Sequence, residues 1–171
     1  MEVLVTAASK HGSTDEIAAA IGRHLADTGL KVTFAAPADV TDLTAYDAVV
    51  LGSAVYAGHW LDPAKNLVAR LQGQLRARPV WLFSSGPIGD PPMPTDDAVE
   101  VTDLLEETGA REHKVFAGHI DKSRLGFAEK AIVRALRVAV GDYRDWDDVT
   151  TWSAQIAATL QPAGRREGSD G

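Results

Sequence analysis

Hydroxyl-bearing residues and one glycine follow an apolar stretch near the start of the chain, and their spacing fits an anion-binding turn. Residues 2–7 have the pattern of a buried strand, and Ser9-Lys10-His11-Gly12-Ser13-Thr14 lead from it straight into a helical pattern. A turn of this composition at a helix N-terminus gathers backbone N–H groups and short hydroxyl donors around one point. The pattern predicts a phosphate site, with an ordinary capped turn as the alternative interpretation.

The turn lacks the features of the commoner nucleotide-binding motifs. It has no Gly-Lys-Ser/Thr ending, which excludes a Walker loop with its phosphate-binding lysine. It has no G-x-G-x-x-G spacing, which disfavours a dinucleotide site. Hydroxyls around a single glycine, with Ser9, Ser13 and Thr14 as the expected donors, suit one terminal phosphate such as that of FMN.

The composition limits the remaining chemistry. The chain has no cysteine, which excludes disulfides, thiolate nucleophiles, Fe–S clusters and cysteine-bound zinc. Its five histidines are too scattered to predict a metal site. Redox chemistry would therefore require an organic cofactor or a metal site without thiolates.

Length and charge set the expected class of protein. The 171 residues suit a single domain over residues 1–161, followed by a disordered polar tail over residues 162–171. The net charge of −7 disfavours nucleic-acid binding and favours basic partners. No apolar run approaches the roughly 20 residues of a membrane span. We therefore expect a cytoplasmic protein, with any contact at the inner membrane face only peripheral, and the oligomeric state stays open.

Five short apolar segments alternate with helical patterns along the chain. This alternation predicts an α/β fold with a five-stranded parallel sheet and helices on both faces. An extra helix, predicted over residues 127–140, belongs to an insertion over residues 121–141 after strand 5. The predicted strands are residues 2–7, 30–35, 48–51, 80–83 and 113–120, and the other helices are residues 14–28, 62–76, 97–108 and one capped by Asp145.

Loops after the first, third and fourth predicted strands should meet at one crevice, because the carboxyl ends of parallel strands share an edge. Tyr56 could stack on a flat ring there, and Trp60 could cover its edge. The alternative is that both aromatic residues pack under the following helix. The backbone of Ser84, Ser85 and Gly86 could approach the polar side of the same ring.

The segments Ser9 to Thr14 and Gly52 to Trp60 resemble flavodoxins, and the similarity covers about residues 2–160. The resemblance implies a flavodoxin-like three-layer sandwich, the strand order 2-1-3-4-5 and FMN as cofactor. It also implies the cofactor-binding residues. The phosphate would be bound by Ser9, Lys10, His11, Gly12, Ser13 and Thr14, the ring bordered by Val55, Tyr56, Ala57 and Gly58, and its pyrimidine side lined by Ser84, Ser85 and Gly86.

Within that superfamily the chain is more similar to the menaquinone-dependent protoporphyrinogen dehydrogenase branch. The similarity lies in Gly58-His59-Trp60, Phe116-Ala117-Gly118 and Tyr143-Arg144-Asp145-Trp146. It implies an FMN-dependent oxidoreductase of heme biosynthesis that oxidises protoporphyrinogen and passes electrons to a quinone. The acidic charge favours the alternative, an electron-transfer carrier between protein partners. A third hypothesis is an FMN-free binding or regulatory module.

The predicted insertion carries Lys130, Arg134 and Arg137 at helical spacing. Such a row could meet an anionic membrane surface or the propionates of a tetrapyrrole. The alternative is an ordinary solvated helix face.

Overall fold

Five parallel strands form the central sheet, in the spatial order that the resemblance predicts. The computed structural model describes residues 1–56, 58–86, 101–121, 123–135 and 141–161. The strands are β1 (Glu2–Ala8), β2 (Lys31–Phe34), β3 (Ala48–Tyr56), β4 (His59–Trp60), β5 (Val80–Ser85), β6 (Glu112–Phe116), β7 (His119–Ile120) and β8 (Gly141–Asp142). The parallel strands lie in the order β2-β1-β3-β5-β6, which corresponds to 2-1-3-4-5 among the five predicted strands.

The sixth strand of this sheet, β4, was not predicted. It pairs antiparallel with the end of β3, so that Val55 lies opposite Trp60 and Tyr56 opposite His59. Strand β3 is accordingly longer than predicted and includes Val55 and Tyr56, which the sequence had suggested for a loop.

Helices cover both faces of the sheet and complete three layers. They are α1 (Ser13–Asp27), α2 (Asp62–Arg76), α3 (Val101–Thr108), α4 (Phe127–Ala135) and α5 (Trp146–Leu160). The apolar stripes of α1 and α5 pack on one face, around Ile17, Ile21 and Trp152. Those of α2 and α3 pack on the other, around Leu67 and Leu104. Central strands β1, β3 and β5 are buried on both faces, which explains their continuous apolar sequence.

The helix ends follow local sequence signals. The side chain of Asp145 accepts hydrogen bonds from the backbone N–H groups of Asp147 and Asp148, at 3.0 and 3.1 Å, and so caps α5 as predicted. Helix α2 has the predicted range. The sequence predicts Asp62 as its N-cap and Pro63 in its first turn, whereas the N-cap is Leu61 and both residues lie in the first turn.

The predicted fifth strand, residues 113–120, is divided in two. Its first part belongs to β6 in the parallel sheet, whereas β7 leaves the sheet and pairs antiparallel with β8. The backbone N–H of Tyr143 also donates to the Gly118 carbonyl at 3.2 Å, which extends this contact. Pairing with a segment more than twenty residues later therefore overrides the local strand pattern. Helix α4 lies between β7 and β8, as predicted for the extra helix.

Several sequence expectations fall outside the described residues. These are residues 97–100 of the third predicted helix, residues 136–140 of the inserted helix, Ala57 and the tail over residues 162–171. The single domain over residues 1–161 and the disordered tail remain predictions. Within the described residues, no helix combines the length and apolar character that a membrane crossing requires.

Candidate functional site

The turn between β1 and α1 is shaped by Ser9 and Gly12. Gly12 adopts a left-handed conformation with φ of 87°, and its backbone N–H donates to the Ser9 Oγ atom at 3.0 Å. The Gly12 carbonyl then accepts the first hydrogen bond of the helix, from the N–H of Glu16 at 3.0 Å. A side chain at Gly12 would be strained at this φ, so glycine is required for the turn.

Two hydroxyl residues begin helix α1. Thr14 is buried, and the Ser13 Oγ atom is buried without a hydrogen-bond partner in the described part of the chain. A buried hydroxyl without a partner costs about 1 to 3 kcal/mol. An anion at this helix N-terminus would accept its hydrogen bond, so the residues present fit a phosphate group.

The first turn of α1 is acidic. Burial raises the pKa of Asp15, the neighbouring Glu16 raises it further, and a hydrogen bond with Ser9 lowers it in part. Glu16 is paired with Arg144, whose Nη1 atom lies 2.5 Å from Oε2. Arg144 also binds Asp142 at 2.6 Å, and this hydrogen bond lowers the pKa of Asp142 to about 2. Arginine charge thus offsets the carboxylates beside the turn.

Tyr56, at the end of β3, lies beside the same turn. Its side chain is 38% exposed. The Lys10 Nζ atom is 5.2 Å from the centroid of the Tyr56 ring, and the His11 ring is 6.4 Å from it at an interplanar angle of 59°. A partly exposed aromatic ring therefore adjoins the candidate phosphate turn.

Trp60 does not border the crevice, so the hypothesis that it covers a ring edge is wrong. Its indole is buried in the apolar layer beneath α2, and Nε1 donates to the Ser84 Oγ atom at 2.8 Å. The antiparallel pairing of β4 with β3 turns this side chain inward. The alternative interpretation, packing against the following helix, is the one that the structure shows for Trp60.

The third predicted loop begins at the end of β5. Both serine side chains there are buried, and the Ser84 Oγ atom also shares a hydrogen bond of 2.8 Å with His113 Nε2. Gly86 has a φ of 102°, and its N–H donates to the Phe116 carbonyl at 3.0 Å. A Cβ at Gly86 would lie 3.9 Å from the Val55 carbonyl oxygen, so the ends of β3 and β5 adjoin.

A family model described as a flavodoxin domain matches residues 4–147. The chain belongs to the flavodoxin-domain family. No curated protein sequence matches the chain.

Solved structures with the flavodoxin fold are similar to the chain along nearly its whole length. Flavodoxin 2 from Bacillus cereus is 20% identical, with a TM-score of 0.64 and coverage of 94% of this chain and 99% of that one. The flavodoxin of Streptococcus pneumonia TIGR4 is 18% identical, with a TM-score of 0.65 and coverage of 93% and 99%. Rubredoxin oxygen:oxidoreductase from Desulfovibrio gigas is 16% identical, with a TM-score of 0.62 and coverage of 94% and 36%. At these identities the similarity shows the fold.

This flavodoxin-like fold brings together most of the residues predicted for a cofactor site. The turn from Ser9 to Thr14 adjoins Tyr56, and Val55 adjoins Gly86. Gly58 has a φ of 80° beside β4, Ser84 and Ser85 are buried at the end of β5, and Ala57 lies outside the described residues. Contact of these residues with FMN remains a prediction.

One residue at the turn of this flavodoxin domain was missed by the sequence reasoning. The Arg124 Nη1 atom donates to the His11 carbonyl at 2.9 Å and lies 3.1 Å from where a Cβ at Gly12 would stand. The only signal in the sequence was its place in a basic insertion, because no local pattern connects residues 113 positions apart. Among the described residues, no group of three or more His, Asp or Glu side chains could hold a metal ion.

Proposed function

We propose that this protein binds FMN and carries electrons between redox partners. The observation that carries the proposal is the buried Ser13 hydroxyl without a described partner, at a helix N-terminus beside the left-handed Gly12. A phosphate monoester would satisfy that hydroxyl and the N–H groups of the turn together. Membership of the flavodoxin-domain family supports the choice of FMN among phosphate-bearing ligands.

The chain's own residues would bind and orient the cofactor. Ser13 and Thr14 would donate to its phosphate, and Lys10 and His11 lie in the same turn. Tyr56 would stack on the flat ring, because its partly exposed side chain lies beside that turn at the end of β3. When bound, FMN supplies the redox chemistry of the site.

The carrier function is supported by charge and by the relatives. Two of the similar solved structures are named flavodoxins, and each is covered by this chain almost from end to end. The net charge of −7 would steer the protein toward basic redox partners and away from acidic ones.

A second candidate is an FMN-dependent oxidoreductase that oxidises protoporphyrinogen and passes electrons to a quinone. It is supported by the inserted segment between β7 and β8, together with the sequence Gly58-His59-Trp60. In this case a small tetrapyrrole and a quinone would replace the protein partners.

Titration of the purified protein with FMN tests the common part of both candidates. We expect one FMN per chain, measured by quenching of flavin fluorescence, and weaker binding to Thr14→Ala. The expected loss for one hydrogen bond to a charged phosphate is about tenfold. A protein that gains no flavin absorbance in excess FMN would refute both redox functions and favour an FMN-free binding module.

Stopped-flow oxidation of the reduced, FMN-loaded protein separates the two candidates. A carrier should reduce a basic one-electron acceptor such as cytochrome c, at a rate that falls as salt is added. Rapid oxidation by a menaquinone analogue alone, with turnover of protoporphyrinogen, would instead support the oxidoreductase.

A further inference from the structure

The insertion after the parallel sheet places a cation against the candidate phosphate turn. Arg124 precedes α4, yet its Nη1 atom donates to the backbone carbonyl of His11 at 2.9 Å. The same atom lies 3.1 Å from the position of a Cβ at Gly12, which means that the guanidinium rests on the turn itself. The Arg124 side chain is 52% exposed, so it is accessible from solvent.

The charges around the turn create a need for such a cation. A phosphate dianion placed there would meet the carboxylates of Asp15 and Glu16 in the first turn of α1. Arg144 is largely committed, because its side chain is 6% exposed and it binds both Asp142 and Glu16 within hydrogen-bond distance. Its single positive charge is therefore shared between those two carboxylates and leaves little for a ligand.

Arg124 has weaker ion pairs than Arg144. Its ion pairs with Glu16 and Asp121 are both 3.8 Å long, beyond hydrogen-bond distance. A guanidinium carries five N–H donors, and among the described residues the hydrogen bond to His11 occupies one of them. Most of its N–H donors are thus available for an oxyanion at the turn.

We propose that Arg124 is a phosphate-binding residue of this site, contributed by the insertion rather than by the turn. The proposal rests on the proposed FMN function and adds to it a charged group that recognises the terminal phosphate monoester. Arg124 would distinguish FMN from riboflavin, because the two ligands share the ring and differ in that phosphate. The bond to the His11 carbonyl would keep the guanidinium beside the turn while other N–H groups meet the anion.

Binding of FMN and riboflavin to Arg124→Gln tests this assignment. We expect the FMN dissociation constant to rise roughly tenfold, the usual effect of losing one charge-assisted hydrogen bond, with riboflavin binding unchanged. Arg124→Lys keeps the charge and should lose less. Arg134→Gln is the matched control, because it makes the same change of charge on the exposed face of α4 in the same insertion.

A salt titration gives a second measurement. Sodium chloride should weaken FMN binding to the wild-type protein more steeply than to Arg124→Gln, because the variant has one charge fewer at the ligand. Thermal unfolding of the ligand-free variants should show similar midpoints for Arg124→Gln and Arg134→Gln, which confirms that both fold.

The outcomes separate this assignment from the proposed function. If the wild-type protein binds FMN and Arg124→Gln binds it equally well, the assignment is refuted and the FMN function stands. Equal losses of FMN and riboflavin would also refute it, because Arg124 would then only support the turn. Failure of the wild-type protein to bind FMN would refute the proposed function, and the assignment with it.

Discussion

The Nη1 atom of Arg144 lies 2.5 Å from the Oε2 atom of Glu16, a residue 128 positions earlier in the chain. This contact joins the segment before α5 to the first turn of α1, next to the candidate phosphate turn. Arg144 also stacks on Trp146, with its Cζ atom 4.6 Å from the ring centroid. Arg144 therefore connects the start of the last helix with the candidate site.

Replacing Arg144 with glutamine should lower the free energy of unfolding by about 1 to 2 kcal/mol, because Asp142 and Glu16 lose their shared partner. Urea denaturation measures the loss. Arg23→Gln is the matched control, since Arg23 is exposed on α1, and its effect should stay within about 0.5 kcal/mol. Equal stabilities of the two variants would show that the contact contributes nothing.

Asp142 should make the free energy of unfolding depend on pH in the acidic range. Its hydrogen bond with Arg144 lowers its pKa from 3.8 to about 2, so the ionised form is favoured in the folded protein. The ionised Asp142 therefore contributes to folding stability above about pH 4. This contribution is lost as the pH falls toward 2, because the carboxylate becomes protonated. Because the side chain is 42% exposed, screening reduces the expected contribution to about 1 kcal/mol.

Denaturation of Asp142→Asn at several pH values checks this expectation. The variant should be less stable than the wild-type protein at pH 7, and the difference should shrink between pH 4 and pH 2. A difference that is constant across this range would contradict the assigned cause.

Replacing Ser13 with alanine should separate ligand binding from stability. The Ser13 Oγ atom is buried without a described partner, so its removal should leave the ligand-free protein equally stable or more stable by up to about 1 kcal/mol. FMN binding should weaken by about tenfold, because a donor to the phosphate is lost. Chemical denaturation and flavin fluorescence measure the two effects.

Ser153→Ala is the matched control for Ser13→Ala. The Ser153 Oγ atom is buried but donates to the Val149 carbonyl at 2.7 Å, within α5 and outside the turn. Its loss should cost about 1 kcal/mol of stability and leave FMN binding unchanged. The reverse pattern in the two variants would mean that the phosphate site lies elsewhere.

Trp60→Phe should affect stability rather than ligand binding. The smaller ring leaves a cavity beneath α2 and removes the hydrogen bond from Nε1 to the Ser84 Oγ atom, at a cost of about 1 to 3 kcal/mol. Tyr56→Ala should do the opposite, with a small change in stability and a clear loss of FMN affinity, because Tyr56 is 38% exposed. Parallel denaturation and FMN titrations compare the two variants.

Features that depend on neighbouring residues could be predicted from the sequence. The apolar strands, the Asp145 cap and the range of α2 follow from periodicity and from local hydrogen-bonding preferences. The turn from Ser9 to Thr14 belongs to the same class, since its glycine and hydroxyls act within one segment.

Features that depend on distant residues could not be predicted in this way. The orientation of Trp60 follows from a two-residue antiparallel strand, and the early end of β6 follows from the pairing of β7 with β8. The approach of Arg124 to His11 joins residues with no local pattern in common. In each case a tertiary contact decides the outcome, which periodicity alone does not report.

Strands β7 and β8 place His119 opposite Asp142 and Ile120 opposite Gly141. The polypeptide thus leaves the parallel sheet after β6, and the antiparallel pairing of β7 with β8 holds the two ends of the intervening segment together before the chain enters α5. The length and sequence of the segment between β7 and β8 can therefore change without altering the strand order of the parallel sheet. The inserted segment is thus anchored by its own two-stranded sheet, independently of the strands that form the core.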